Sequence, residues 1–68
     1  MAASKQLMGC WLTEEGDRVS VYKSGRSYWI SHGGSEHLCH PSIRSLQDTR
    51  REAVLVFHIK PTDFHMSD

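Results

Sequence analysis

Histidine and cysteine side chains cluster in one short segment of the sequence. His32, His37, Cys39 and His40 fall within nine positions, and imidazole and thiolate groups are ligands that zinc prefers. Structural zinc sites usually carry two closely spaced ligand pairs, however, and this chain has no such double pair. On a strand, His37 and Cys39 would face one side and His40 the other. We therefore predict no metal site and no cofactor, with His37, Cys39 and His40 as the candidate ligands if zinc does bind.

The same segment contains the most obvious candidate for nucleophilic catalysis. Cys39 precedes His40, but a nucleophile needs a base that is itself held by a third group, and neighbouring side chains on a strand diverge. Acid–base catalysis by paired carboxylates would need one of them in an apolar setting. The acidic residues that we considered lie in a charged turn or among arginines: Glu14, Glu15, Asp17, Asp48 and Glu52. We predict that the protein is not an enzyme.

Aromatic and basic side chains occur together in a second segment. Tyr22, Lys23, Arg26 and Trp29 lie close together in the sequence, as in proteins that stack single-stranded bases on a sheet. The chain carries eight basic and eight acidic residues and no net charge, whereas proteins that neutralise phosphates usually carry a basic excess. A single-stranded nucleic-acid binder that uses Lys23 and Arg26 is therefore an alternative and not the main hypothesis.

A hairpin is the clearest element that would position these side chains. Residues 18–23 and 26–31 are rich in β-formers, and Ser24-Gly25 separates them. Because glycine tolerates the positive φ of tight hairpin turns, we predict two strands joined at Ser24-Gly25. In that register Val21 faces Tyr28 and Val19 faces Ile30, and these four side chains share the buried face. Tyr22 and Trp29 lie diagonally on the outer face.

The remaining elements are predicted from apolar runs. Residues 7–12 form a short apolar run that predicts a first strand. Residues 37–46 are ambiguous: two short strands around Pro41 are slightly favoured over a helix from about Ser42 to Glu52 that uses Ile43, Leu46 and Ala53. Residues 53–59 are continuously apolar and β-branched, which predicts a last strand that ends before Pro61.

Gly9-Cys10-Trp11 at the start of the first strand resembles the Gly-x-Trp start of lipocalin-like barrels. The resemblance covers these three residues and a general order of strands. No ligand site is transferred from it, since the chain is far shorter than a lipocalin.

Length and composition complete the prediction. A chain of 68 residues forms one domain, and a domain of this size is marginally stable without a disulfide, a metal or a partner. Two cysteines and no export signal predict free thiols, a cytoplasmic location and no association with membranes.

We expect an all-β fold, a small antiparallel sheet or barrel-like meander of four to six short strands. The alternative is an α+β fold with four strands and one helix at about 42–52. Residues 1–5 and 65–68 are expected to be disordered.

The predicted function is a small non-enzymatic binding or protein-interaction module. If the last strand joins the hairpin, Val54 and Val56 lie with Tyr22 and Trp29 on an apolar outer face. A second copy of the chain is the expected cover for this face, because zero net charge favours self-association. Further alternatives are a zinc-stabilised module and a compact inhibitor or accessory protein of a phage or mobile element.

Overall fold

The computed structural model describes residues 5–67, which form one antiparallel sheet of five strands and one helix. In chain order these are β1 (Gln6–Thr13), β2 (Arg18–Ser24), β3 (Ser27–His32), β4 (Ser35–Leu38), α1 (Leu46–Phe57) and β5 (Pro61–Met66). The strand order across the sheet is β4-β3-β2-β1-β5. The predicted antiparallel meander is therefore confirmed, and the helix of the α+β alternative accompanies it. In the described chain β4 and β5 are opposite edges of an open sheet.

The β2–β3 hairpin has the predicted strands and the predicted buried face, but its turn is one residue later. Gly25 and Arg26 form the turn, and Tyr22 pairs with Trp29 where the sequence predicts Ser27. Gly25 has φ +60°, which suits the first central position of a type II′ turn. Moving a two-residue turn by one position shifts each cross-strand partner by two, so every side chain keeps its face. The four predicted core residues are all buried: Val19, Val21, Tyr28 and Ile30.

The predicted last strand at 53–59 is wrong, because these residues belong to the second half of α1 and its C-terminal exit. Ser45 caps the helix, its Oγ accepting the backbone N–H of Asp48 at 3.2 Å. At the other end His58 adopts the left-handed conformation, φ +55°, and donates its N–H to the Val54 carbonyl. The predicted second short strand after Pro41 is also absent from this part of the chain.

The helix covers one face of the sheet and closes the core there. Thr49 and Ala53 are its buried residues, and they pack on a cluster formed by the inward side chains of the strands. The indole N–H of Trp11, on β1, donates to Thr49 Oγ1 at 3.1 Å. Arg50 extends from the helix to the Pro61 carbonyl at 3.0 Å. Two hydrogen bonds therefore attach α1 to strands on the β5 side of the sheet.

The strand β5 occupies the edge next to β1. Pro61 is its first residue, a position where the missing N–H costs no ladder hydrogen bond. His65 and Met66 are the last two residues of β5, and Ser67 donates to the Met8 carbonyl at 3.0 Å. The prediction of disorder covers residues 65 and 66, which the structure describes as part of β5. Residues 1–4 and 68, for which disorder is also expected, lie outside the described residues.

Candidate interaction face

The face of the sheet opposite α1, here called the open face, carries an apolar row that crosses four strands. Leu7 pairs with Tyr22, Tyr22 pairs with Trp29, and Trp29 pairs with Leu38. Directly opposed residues of antiparallel strands project from the same face. The sequence therefore correctly places Tyr22 and Trp29 on the outer face. It misses Leu7 and Leu38, which complete the row.

The two leucines at the ends of this row are the most exposed parts of it. Leu38 is 50% exposed and Leu7 is 45% exposed, while Tyr22 and Trp29 are half-buried. We call Tyr22, Trp29 and Leu38 the ridge, because large side chains follow one another there on β2, β3 and β4. A ridge of this kind leaves apolar surface in water that a covering partner would bury.

Lys5 lies across the aromatic part of the ridge. Its ammonium is 4.3 Å from the centroid of the Trp29 ring and 6.0 Å from that of Tyr22, which is the geometry of a cation–π contact. The same ammonium forms an ion pair with Glu36 on β4. The charge of Lys5 is therefore neutralised on the open face, where an unpaired charge would oppose burial by a partner.

Next to the ridge the open face sinks into a shallow depression of about 360 Å³. Two small side chains, Cys10 and Ser20, pair across β1 and β2 within it, and Cys10 pairs with His65 on β5. The open-face residues that line it are Leu7, Cys10, Leu12, Arg18, Ser20 and His65. The open face thus carries the ridge beside a depression that includes two small side chains.

Val54 and Val56 do not belong to the open face. Both lie on α1, so the predicted set of Tyr22, Trp29, Val54 and Val56 is not brought together. Val54 is 38% exposed and its neighbour Leu55 is 65% exposed. The apolar run that resembles a strand is thus the C-terminal part of a helix, and it leaves Val54 and Leu55 in solvent on the other side of the molecule.

The structure also separates the aromatic and basic residues of the β2–β3 hairpin. Lys23 pairs with Tyr28, a core residue, and its ammonium lies 5.5 Å from the Tyr28 ring centroid. Arg26 is at the tip of the turn and borders a cleft with Lys23 and Tyr28. Tyr22 and Trp29 project from the opposite face. A nucleic-acid strand stacked on the two aromatics would therefore lie away from Lys23.

The three candidate zinc ligands lie in three different environments. His37 Nε2 is 3.0 Å from Glu52 Oε2 on α1, and Cys39 is a buried core residue. His40 is exposed, and its Nδ1 accepts the backbone N–H of Ser42 at 3.0 Å. Among residues 5–67, no group of three or more His, Cys, Asp or Glu side chains is arranged to hold a metal ion.

Cys39 is also unsuited to act as a nucleophile. Burial and, to a smaller extent, the nearby Glu52 carboxylate together raise the pKa of its thiol to about 11. Only the thiolate attacks, so a reactive cysteine needs a lowered pKa. The backbone N–H of Cys39 donates to the Tyr28 carbonyl at 2.9 Å, which ties the residue to the core next to β3. Its position and its pKa are those of a packing residue.

Comparison of the chain with protein-family models, with curated proteins and with solved structures finds no match in any of the three. Within residues 5–67 no helix is both long enough and apolar enough to cross a membrane.

Proposed function

We propose that this protein is a small non-enzymatic interaction module that pairs with a second copy of itself through the open face. The observation that carries the proposal is the ridge of Tyr22, Trp29 and Leu38 beside the depression on the same uncovered surface. A surface that holds both a ridge and a matching hollow is self-complementary, since a two-fold axis between them seats each ridge in the other copy's depression.

The energetics favour a cover for this face. Fully burying a leucine side chain contributes about 1.5–3 kcal/mol. Leu7 and Leu38 are each about half exposed, so covering both contributes about 1.5–3 kcal/mol per copy. A domain of 68 residues has a small stability of its own, and this gain is a sizeable part of it.

Charge offers no obstacle to pairing. The chain has no net charge, so two copies do not repel each other as wholes. On the open face Lys5 is already paired with Glu36. Arg18, at the border of the depression, is exposed and would remain at the polar rim that interfaces of this kind carry.

Sedimentation velocity or light scattering at micromolar concentration tests the proposal. We expect the wild-type protein to be a dimer and Leu38→Glu to be a folded monomer with a lower melting temperature. Leu55→Glu is the matched control, because it places the same charge on an exposed leucine of α1 outside the open face. A monomeric wild type would refute the proposal, and so would a dimer disrupted by Leu55→Glu and unaffected by Leu38→Glu.

A second variant tests the depression separately. Ser20→Phe fills the hollow without changing the ridge, and we expect it also to give a monomer. A mixture of Leu38→Glu and Ser20→Phe protein then retains one intact ridge and one intact depression on different chains. Partial recovery of dimer in that mixture is the expected result. Its absence, with both variants folded, would contradict the ridge-in-depression arrangement.

The cross-strand pair of Tyr22 and Trp29 beside the Lys5 ammonium keeps single-stranded nucleic acid as a second candidate partner. It is less favoured because Lys23 lies on the helix side of the sheet. Binding of an oligonucleotide that weakens steeply with salt and is lost in Trp29→Ala would support it over self-association.

A further inference from the structure

A cleft whose charged lining residues are all basic lies on the helix side of the sheet. It has a volume of about 430 Å³ and separates the β2–β3 turn from the segment that leads into α1. Its walls are formed by Lys23, Arg26, Tyr28, Pro41 and Arg44, among others. The three basic side chains come from two distant parts of the sequence, and no aspartate or glutamate lines the cleft.

The three cations have no acidic partner within the described part of the chain. The ion pairs between residues 5 and 67 join Lys5 to Glu36 and histidines to carboxylates. Asp48, the carboxylate next to Arg44 along the helix start, accepts the backbone N–H of Arg44 at 3.3 Å. It forms no ion pair with the Arg44 guanidinium. The cationic groups around the cleft are therefore available to a ligand.

Like charges gathered in one cleft repel each other, and an anion between them replaces repulsion by attraction. Arginine presents a planar fork of N–H donors that matches the oxygens of a phosphate or carboxylate. Lysine adds a compact charge, and the Tyr28 ring beneath Lys23 forms part of the wall. The volume lies within the range of small-molecule sites and exceeds what a single phosphate ion needs.

We propose that this cleft binds a phosphate monoester, with Arg26, Arg44 and Lys23 as the groups that contact the phosphate. A monoester carries up to two charges on one group, which matches three cations around one cleft better than the single charge of each phosphodiester in a nucleic-acid strand. The cleft also lies on the face of the sheet opposite Tyr22 and Trp29, the side chains on which bases would stack. The site is independent of the proposed self-association, because it is on the opposite face of the sheet.

Titration followed by two-dimensional amide NMR tests this site on the full chain. Inorganic phosphate and O-phosphoserine are added separately at constant ionic strength, with sodium chloride as the reference. We expect saturable shifts of the Gly25 and Ser27 amides, which border the cleft. The double variant Arg26→Gln/Arg44→Gln should weaken binding at least about tenfold, since it removes two charged donors. Both positions are exposed, so the fold should persist.

The control is Arg51→Gln, which removes an exposed positive charge on α1 that does not line the cleft. It should bind both phosphates as the wild type does. Tighter binding of phosphoserine than of inorganic phosphate would support an esterified ligand; equal binding would overturn the assignment to a monoester in favour of the free ion. Shifts that do not saturate, or that the double variant leaves unchanged, would overturn the proposal. So would binding of a single-stranded oligonucleotide more tightly than either phosphate.

Discussion

Replacing Thr49 by valine tests how the helix is held on the sheet. Thr49 is completely buried and Trp11 is 5% exposed, and Thr49 Oγ1 accepts the indole N–H of Trp11 at 3.1 Å. Valine keeps nearly the same shape but cannot accept that hydrogen bond. The indole N–H then remains buried without a partner, which costs about 1–3 kcal/mol. We expect a loss of about 1–2 kcal/mol in the free energy of unfolding, because the added methyl group offsets part of the cost.

For a domain of this size, such a loss lowers the melting temperature by roughly 5–15 °C. Thermal and urea unfolding measure it, and the Trp11 indole N–H resonance reports the broken bond directly. The cycle is completed with Trp11→Phe, which removes the donor. In that background Thr49→Val should cost clearly less than in the wild type, because only the hydrogen bond that Thr49 Oγ1 donates to the Leu46 carbonyl is then lost. Equal losses in both backgrounds would refute the argument that this hydrogen bond attaches α1 to the sheet.

The other predictions concern single residues of the fold. Gly9→Ala should lower stability by about 3 kcal/mol or more and release β5, because a Cβ there would lie 2.3 Å from the His65 carbonyl oxygen; a melting temperature within a few degrees of wild type would contradict this. His58→Gly should raise stability by about 1 kcal/mol, since His58 has φ +55°, and chemical denaturation measures it against His58→Ala. Cys10 should react with iodoacetamide at pH 8 well before Cys39, whose pKa is about 11; mass spectrometry of the labelled peptides decides the order. Elemental analysis should find no stoichiometric zinc, and one zinc per chain would contradict the ligand-spacing argument.

The hairpin could be predicted from the sequence because its signals are local. Alternation between Val19 and Val21 sets the faces, and Gly25 marks the turn. The predicted register is wrong because glycine suits either central position of a tight turn, depending on the turn type. The prediction places Gly25 second in the turn, and the structure places it first. The predicted faces of the side chains are still correct, because the two registers differ by two residues, which is one full period of a strand. The position of Tyr22 and Trp29 on the outer face of the sheet is therefore predictable.

The second half of α1 is predicted as a strand because its residues prefer strands intrinsically, whereas packing against the sheet favours a helix there. Residues 53–57 are Ala-Val-Leu-Val-Phe, a run with strong strand preference. The buried stripe of α1 includes Thr49, whose hydroxyl makes it look like a surface residue until Trp11 is placed against it. The Ser45 cap, with Asp48 three residues later, is the local signal that indicates a helix start at Leu46.

The two candidate sites could be predicted only in part, because tertiary structure brings some of their residues together. Leu38 joins Trp29 through the β3–β4 pairing, and residues 35–38 are too short and too polar to be identified as a strand from their pattern. Arg44 reaches the cleft beside Arg26 only because the segment before α1 folds back over the β2–β3 turn. Both sites combine residues whose proximity depends on tertiary structure.

The position of β5 at the edge next to β1 determines the order in which this sheet can assemble. Strands β1 to β4 are joined by short turns, so each pair forms from neighbouring segments. The contact between Thr62 and Leu12 spans 50 residues, and closing a loop of that length carries an entropic cost that the hairpins avoid. The four-stranded meander should therefore form first, with β5 docking after α1 is in place. Amide hydrogens of β2 and β3 should exchange most slowly and those of β5 fastest, because the strand that docks last on the sheet is expected to detach from it first.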